Sequence, residues 1–141
     1  MSRIELAVSL GGREPTRSHK NDAGLDLYAR EGKWINPGDM VKVPLGASVA
    51  IPDGHMGLLV PRSSLAAKRG LWGQTGIIDS GYRGELTALV RNVVAQPTLI
   101  QPGDRIYQLV LVPIMIPRIK VVTELDETER GSGGFGSTGQ K

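Results

Sequence analysis

A chain of 141 residues, 40% hydrophobic and 22% charged, is long enough to bury one core and has the balance of an ordinary globular domain. Without cysteine it can hold neither a disulfide framework nor a thiolate metal site, which suits a reducing cytoplasm. A net charge of +3 is too mild for a nucleic-acid stripe, and no apolar run approaches the ~18 residues of a membrane span, so neither is expected as a direct partner.

In chain order, Ile4, Leu6 and Val8 alternate as in a strand. Gly11 and Gly12 break the apolar stretch, so it is expected to be neither a signal peptide nor an anchor. In "AGLDLYA", Leu25 and Leu27 share a face and Asp26 points the other way, the plain reading being toward solvent. "NPGD" at Asn36 to Asp39 and "PDGH" at Pro52 to His55 are turns. The strand-like runs "MVKVPLGASVAI" and "MGLLV" follow them. "SSLAAKRG" breaks the β pattern, predicting a helix of about two turns with a serine N-cap and Gly70 at its end. Arg62 and Ser63 lie where strand gives way to helix, a place that suits an anion such as phosphate, or holds only a capped surface helix.

"GQTGIIDSGYRGEL" opens as a hairpin tip, where glycines let a ligand approach the backbone. Ile77 and Ile78 then lead into Asp79, which an apolar strand end would position as a general base toward water. A turn aspartate followed by a core tyrosine, Tyr82, is the competing reading. "LTALV" is the next strand-like run, and "QPGD" at Gln101 to Asp104 is a turn. Beyond it Arg105, Tyr107 and Leu109 alternate against Asp104, Ile106 and Gln108. "QLVLVPIMI" is apolar at nearly every position, as in a strand buried on both faces, and another subunit is expected to cover the second face. After "PRIKVV" the composition changes. Residues 1–123 are expected to form a β-barrel core, and 124–141 a linker and flexible arm.

The arm "RGSGGFGSTGQK" holds the only phenylalanine, Phe135, among residues that build no core. Its backbone donors and hydroxyls suit phosphate, although no Walker pattern is present. His19 and His55 share no ligand spacing, and neither a Ser/His/Asp triad nor a zinc site can be drawn. A metal here would be a hard ion such as magnesium, carried in with phosphates. The architecture expected from the residues is all-β, a barrel or sandwich with one short helix.

Together, "AGLDLYA", "PRSSLA", "GIIDSGYRGEL", "GDRIYQL" and "RGSGGFGSTG" resemble, in order, the five motifs of the trimeric dUTP diphosphatases, from about Asp22 to Gly139. The resemblance implies a distorted antiparallel jelly-roll barrel, a homotrimer with active sites at subunit interfaces, and a flexible C-terminal arm. It implies Mg2+-assisted hydrolysis of dUTP to dUMP and pyrophosphate by water attack at the α-phosphorus. Such an enzyme limits uracil incorporation into DNA and supplies dUMP for thymidylate synthesis. Asp79 matches the aspartate that activates water, and Tyr82 the tyrosine packed on the deoxyribose. Arg62, Ser63, Ser64 and Gln108 match the phosphate side, and Asp26 an aspartate that meets the metal through water. Gly76 belongs to the uracil-reading segment. Arg130, Gly136, Ser137 and Thr138 match residues of the closing tail, and Phe135 the aromatic that covers uracil.

Three departures stand out: Ser64 where many members have glycine, Gly73 where many bacterial members have asparagine, and Tyr107 where a small residue is usual. The related dCTP deaminases share an Arg-Ser-Ser motif but not the "IIDSGYRG" pattern. A dUTPase-like module serving mainly to contact a regulatory protein partner is compatible with the same motifs. A structural β protein such as a capsid jelly roll has no reason to carry them. The location expected is the cytoplasm, or the host-cell interior for a viral protein.

Overall fold

Short runs rich in valine, leucine and isoleucine form eleven strands and one helix among residues 4–136, the part described by the structure, a computed structural model. In chain order these are β1 (Ala7–Leu10), β2 (Gly24–Tyr28), β3 (Lys33–Ile35), β4 (Met40–Pro44), β5 (Ala47–Ala50) and β6 (His55–Pro61). There follow α1 (Ser63–Arg69), β7 (Leu71–Gly73), β8 (Gly76–Ile78), β9 (Thr87–Asn92), β10 (Thr98–Ile100) and β11 (Arg105–Pro113). Every ladder is antiparallel. The sheets run β2-β11-β6-β8 and β4-β9-β7, with β1-β5 and β3-β10 as separate pairs. The all-β class with one short helix is therefore as the sequence predicts.

Turn chemistry sets several reversals. The Asp39 N–H donates to the Asn36 carbonyl at 3.0 Å with Gly38 at φ +83°, and Asp104 N–H donates to Gln101 at 3.1 Å with Gly103 at φ +87°. Proline fixes the first torsion of such a turn, and glycine adopts the second without strain. The second turn delivers the chain into β11, which lies between β2 and β6. Tyr107 and Leu109 face Pro61 and Leu59 on one side, and Leu27 and Leu25 on the other. Leu27, Leu59, Tyr107 and Leu109 join Ile35, Val43, Leu45, Leu71, Leu86, Val90 and Ile106 in one buried cluster.

The helix ends at Gly70, at φ +64°, as expected. Its N-cap, however, is Arg62 rather than a serine, with no side-chain cap bond, and Ser63 is the first helical residue. So short a helix is marginal alone. Burial of Leu65, worth about 2 kcal/mol, ties it to the core.

Three further expectations change. "MVKVPLGASVAI" is two strands, because Leu45–Gly46 turns the chain between β4 and β5. "GQTG" is not a hairpin: β7 pairs with β9 and β8 with β6, so Gln74 and Thr75 pass from one sheet to another. "PRIKVV" forms no strand, and Met115, Ile116, Ile119 and Val121 are among its exposed neighbours and members. The three-residue strands β3, β7 and β10 were too short to show periodicity.

Candidate functional site

The first cleft, about 380 Å3, opens where β2, β11 and the start of α1 meet, and is lined by Ser18, Asp22, Gly24, Asp26, Arg62, Ser63 and Gln108 among others. Asp26 does not face open solvent. It is 8% exposed and holds two cations, Arg62 Nε at 3.5 Å from Oδ1 and Arg105 at 3.3 Å from Oδ2. Ser18 donates to Oδ2 at 3.4 Å. Burying a carboxylate is costly unless it is paired in this way.

Gln108 is the cross-strand partner of Asp26. Its side chain lies over Gly24, where an added Cβ would overlap Gln108 Oε1. Arg105 lies three residues before Gln108, and regular alternation would put the two on opposite faces. A register shift between Arg105 and Tyr107 accompanies the reach of Arg105 to Asp26, the cross-strand partner of Gln108. Sequence reasoning missed Ser18, Asp22 and Gly24 as cleft residues, and Arg105 as a partner of Asp26. For Arg105 only a foreseen bulge could have given the signal. Ser63 is exposed and Ser64 half-buried at the helix start beside Arg62.

A second concavity, about 260 Å3, is lined by Leu59, Ile77, Ile78, Asp79, Tyr82, Glu85, Leu86 and Thr87, and shares no residue with the first. Asp79 follows directly on β8 and is exposed. Its backbone carbonyl accepts the Tyr82 N–H at 3.1 Å, closing the turn. Tyr82 is 45% exposed rather than a core residue, and its hydroxyl donates to the Glu85 carbonyl at 3.1 Å. The phenol lies across Gly84, where a Cβ would overlap it.

Glu85 is committed elsewhere: it takes a fork from Arg30 at 2.8 and 3.0 Å and the Gly46 N–H at 2.8 Å. That Arg30 bond, opposed by desolvation and aided by Gly46, holds its carboxyl below the usual value of 4.5. Gly76, at the start of β8, meets only Leu59 at 3.8 Å if given a Cβ, so internal packing does not demand glycine there.

The tail is a third surface. Arg130 donates to the Gly133 carbonyl at 2.6 Å, and Gly133 N–H returns to the Arg130 carbonyl at 3.2 Å. Phe135 is fully exposed at φ +50°, followed by Gly136 at φ +84°. Ser137 and Thr138 lie outside the described residues. The structure thus brings Asp26, Arg62, Ser63 and Gln108 together, and Asp79 with Tyr82. It leaves Phe135 apart from both lining sets.

Among the described residues no three His, Asp or Glu gather closely enough to hold a metal directly. Asp26 already faces Arg62, Arg105 and Ser18. With a guanidinium at each oxygen Asp26 offers no direct cation site, and a hard ion here would be held chiefly by the phosphates of a ligand. Among the described residues no helix is long and apolar enough to cross a membrane.

Comparison with known proteins agrees with the motif order. The dUTPase family model matches residues 12–139. The deoxyuridine 5'-triphosphate nucleotidohydrolase of Mycolicibacterium gilvum is 44% identical over 133 residues, covering 89% of this chain and 86% of the relative. A mutant dUTPase of Staphylococcus bacteriophage 80alpha, solved with dUpNHpp, superposes with a TM-score of 0.92 at 33% identity, covering 97% of this chain and 99% of that one. A mutant dUTPase from phage phi11 of S. aureus, described for its coordination of a structural Mg(II) ion, gives 0.83 at 31% identity over 88% of this chain and all (100%) of that one. On this match of sequence, motif order and fold, the chain belongs to the dUTPase family.

Proposed function

We propose that the protein hydrolyses dUTP to dUMP and pyrophosphate, limiting uracil incorporation into DNA and supplying dUMP for thymidylate synthesis. One observation carries the reading: the motif residues of a single chain lie on separate surfaces, each bearing one part of the chemistry. The Asp26 cleft offers anchored guanidiniums, the Asp79 concavity an unencumbered carboxylate beside an aromatic, and the tail an exposed aromatic with Arg130. A complete site then needs more than one copy, which supports a homotrimer with sites at subunit interfaces. Exposed Met115, Ile116, Ile119, Val121 and Leu125 support the same reading, since so much apolar surface on an irregular segment calls for cover. We take the core as a jelly-roll barrel over 1–123 and residues 124–141 as the linker and flexible arm.

In this site Asp79 accepts a proton from the water whose oxygen bonds to the α-phosphorus, while the bond from that phosphorus to the bridging oxygen breaks and pyrophosphate leaves. Tyr82, fixed by Glu85 and Gly84, lies on the deoxyribose and leaves no room for a 2′-hydroxyl. Backbone groups of the Gly73–Gly76 link meet uracil N3–H and O4. A cytosine there would leave polar atoms mispaired, which discriminates more strongly than a missing contact. Arg62, Ser63, Ser64 and Gln108 bind the phosphates. Asp26 keeps Arg62 in place and would help hold, through water, an Mg2+ brought in on the phosphates.

That ion, when bound, neutralises part of the triphosphate charge. Phe135 covers the base, while Arg130, Gly136, Ser137 and Thr138 close over the phosphates and exclude water. The proposed location is the cytoplasm, or a host-cell interior. A pyrophosphate-release assay with magnesium, comparing dUTP, dTTP, dCTP and UTP, tests the whole reading. Strong preference for dUTP supports it, and indifference among the four refutes it.

A further inference from the structure

Tyr107 sits in the middle of the core, fully buried, yet its hydroxyl reaches the segment between β7 and β8. It donates to the Gln74 carbonyl at 2.7 Å and lies 3.2 Å from the Leu89 carbonyl. The Leu89 carbonyl also accepts the Gln74 N–H at 2.9 Å. The Gln74 carbonyl has, among the described residues, that phenol as its one donor. The ring also claims the space beside Gly73. A Cβ built there would lie 2.5 Å from the Tyr107 oxygen, 3.0 Å from Cζ and 2.8 Å from Pro61 Cβ.

The geometry points to Tyr107 as a positioning residue for base selection: its ring fills the space a side chain at position 73 would need, and its hydroxyl fixes the Gln74 backbone within the Gly73–Gly76 link. This rests on the reading above, in which that link meets the base. Two features make the device suitable. Burial pushes the Tyr107 phenol up to about 12, against a smaller opposing backbone hydrogen bond at Leu89, so it remains a donor throughout the neutral range. Its chain neighbour Gln108 lies in the Asp26 cleft. One strand therefore supports the base-side link and the phosphate-side cleft with consecutive residues. A donor and acceptor pattern presented by backbone is only as selective as that backbone is fixed.

The test is Tyr107→Phe, which removes the hydroxyl and keeps the ring, assayed on dUTP and dCTP with magnesium beside the unmodified chain. The KM for dUTP should rise about three- to tenfold, the worth of one hydrogen bond, with kcat changed less. The preference for dUTP over dCTP should fall by a similar factor. Gly73→Ala, which drives the phenol from its place, should lower the same preference when assayed at a temperature where its circular dichroism matches the parent. A purely packing role would lower the melting temperature and leave preference alone.

Unchanged preference in both variants, with the parent selective, overturns the assignment of Tyr107 and leaves the proposed function standing. A parent that does not prefer dUTP overturns the base-reading link itself, and this inference with it.

Discussion

The Asp26 cleft and the Asp79 concavity hold their carboxylates in opposite ways. Asp26 is 8% exposed and committed to Arg62, Arg105 and Ser18 before any ligand arrives. Asp79 is exposed, and its side chain has no hydrogen-bond or ion-pair partner among the described residues. A carboxylate that organises cations must be engaged in advance, because reorganising charges during binding is costly. One that takes a proton from water must keep its oxygens free. Under the proposed mechanism the same residue type would serve as anchor in one place and base in the other, with the surroundings deciding which.

The largest way to break this contrast is Asp79→Asn. The side chain keeps its size and loses its basic oxygen, so kcat should fall about a thousandfold while nucleotide binding persists. Near-normal turnover in single-turnover kinetics would end the assignment of Asp79 as base. Next comes truncation after Glu129, which removes Arg130 and Phe135 and leaves both clefts in place. The proposed trimer should remain by light scattering, with kcat/KM lower by about a hundredfold. Phe135→Ala alone should cost about tenfold, the worth of one base–aromatic stack. A truncated enzyme that works normally would make the tail dispensable.

Asp26→Asn sharpens the anchor side of the contrast. Arg62 and Arg105 would lose the charge that holds them, so the KM for dUTP should rise about tenfold and kcat fall less. If instead kcat collapses as far as with Asp79→Asn, the two carboxylates do not divide the work as described.

The contrast was only half legible in the sequence. Asp79 could be found because Ile77, Ile78 and a glycine-bearing turn frame it locally. Asp26 was visible as a motif, but its burial was not, since alternation with Leu25 and Leu27 pointed it toward solvent. Its partners come from 36 and 79 residues away, as 62 − 26 and 105 − 26. The bulge beside Arg105 leaves no periodic trace.

Gly73 and Tyr107 show the same limit. Each was seen separately as a departure from the family pattern, and only the fold puts a phenol where a side chain at 73 would go. Turns were the most legible part, because Pro-Gly chemistry acts within four residues. The Gln74–Thr75 link was misread because two glycines near a strand signal a reversal but do not say which sheet receives the next strand.

The smallest effect concerns Glu85, the other carboxylate lining the Asp79 concavity. Glu85→Gln removes the charge that Arg30 and Gly46 hold and leaves Asp79 in place. The Glu85 pKa is lower folded than its ordinary 4.5, so its contribution to stability is full above about that pH and is lost as pH falls through the folded value. The pair is partly exposed, and screening keeps the effect small. At pH 7 the variant should melt about 2–4 °C below the parent, and the two melting curves should converge in acid below the folded value.

A gap of equal size at pH 3 and pH 7 would place the loss in packing rather than charge. Turnover should stay close to that of the parent, because Glu85 is occupied and Asp79 is not. A thousandfold loss in Glu85→Gln would instead transfer the base role to Glu85, and with it the distinction between the committed and the free carboxylate would fail.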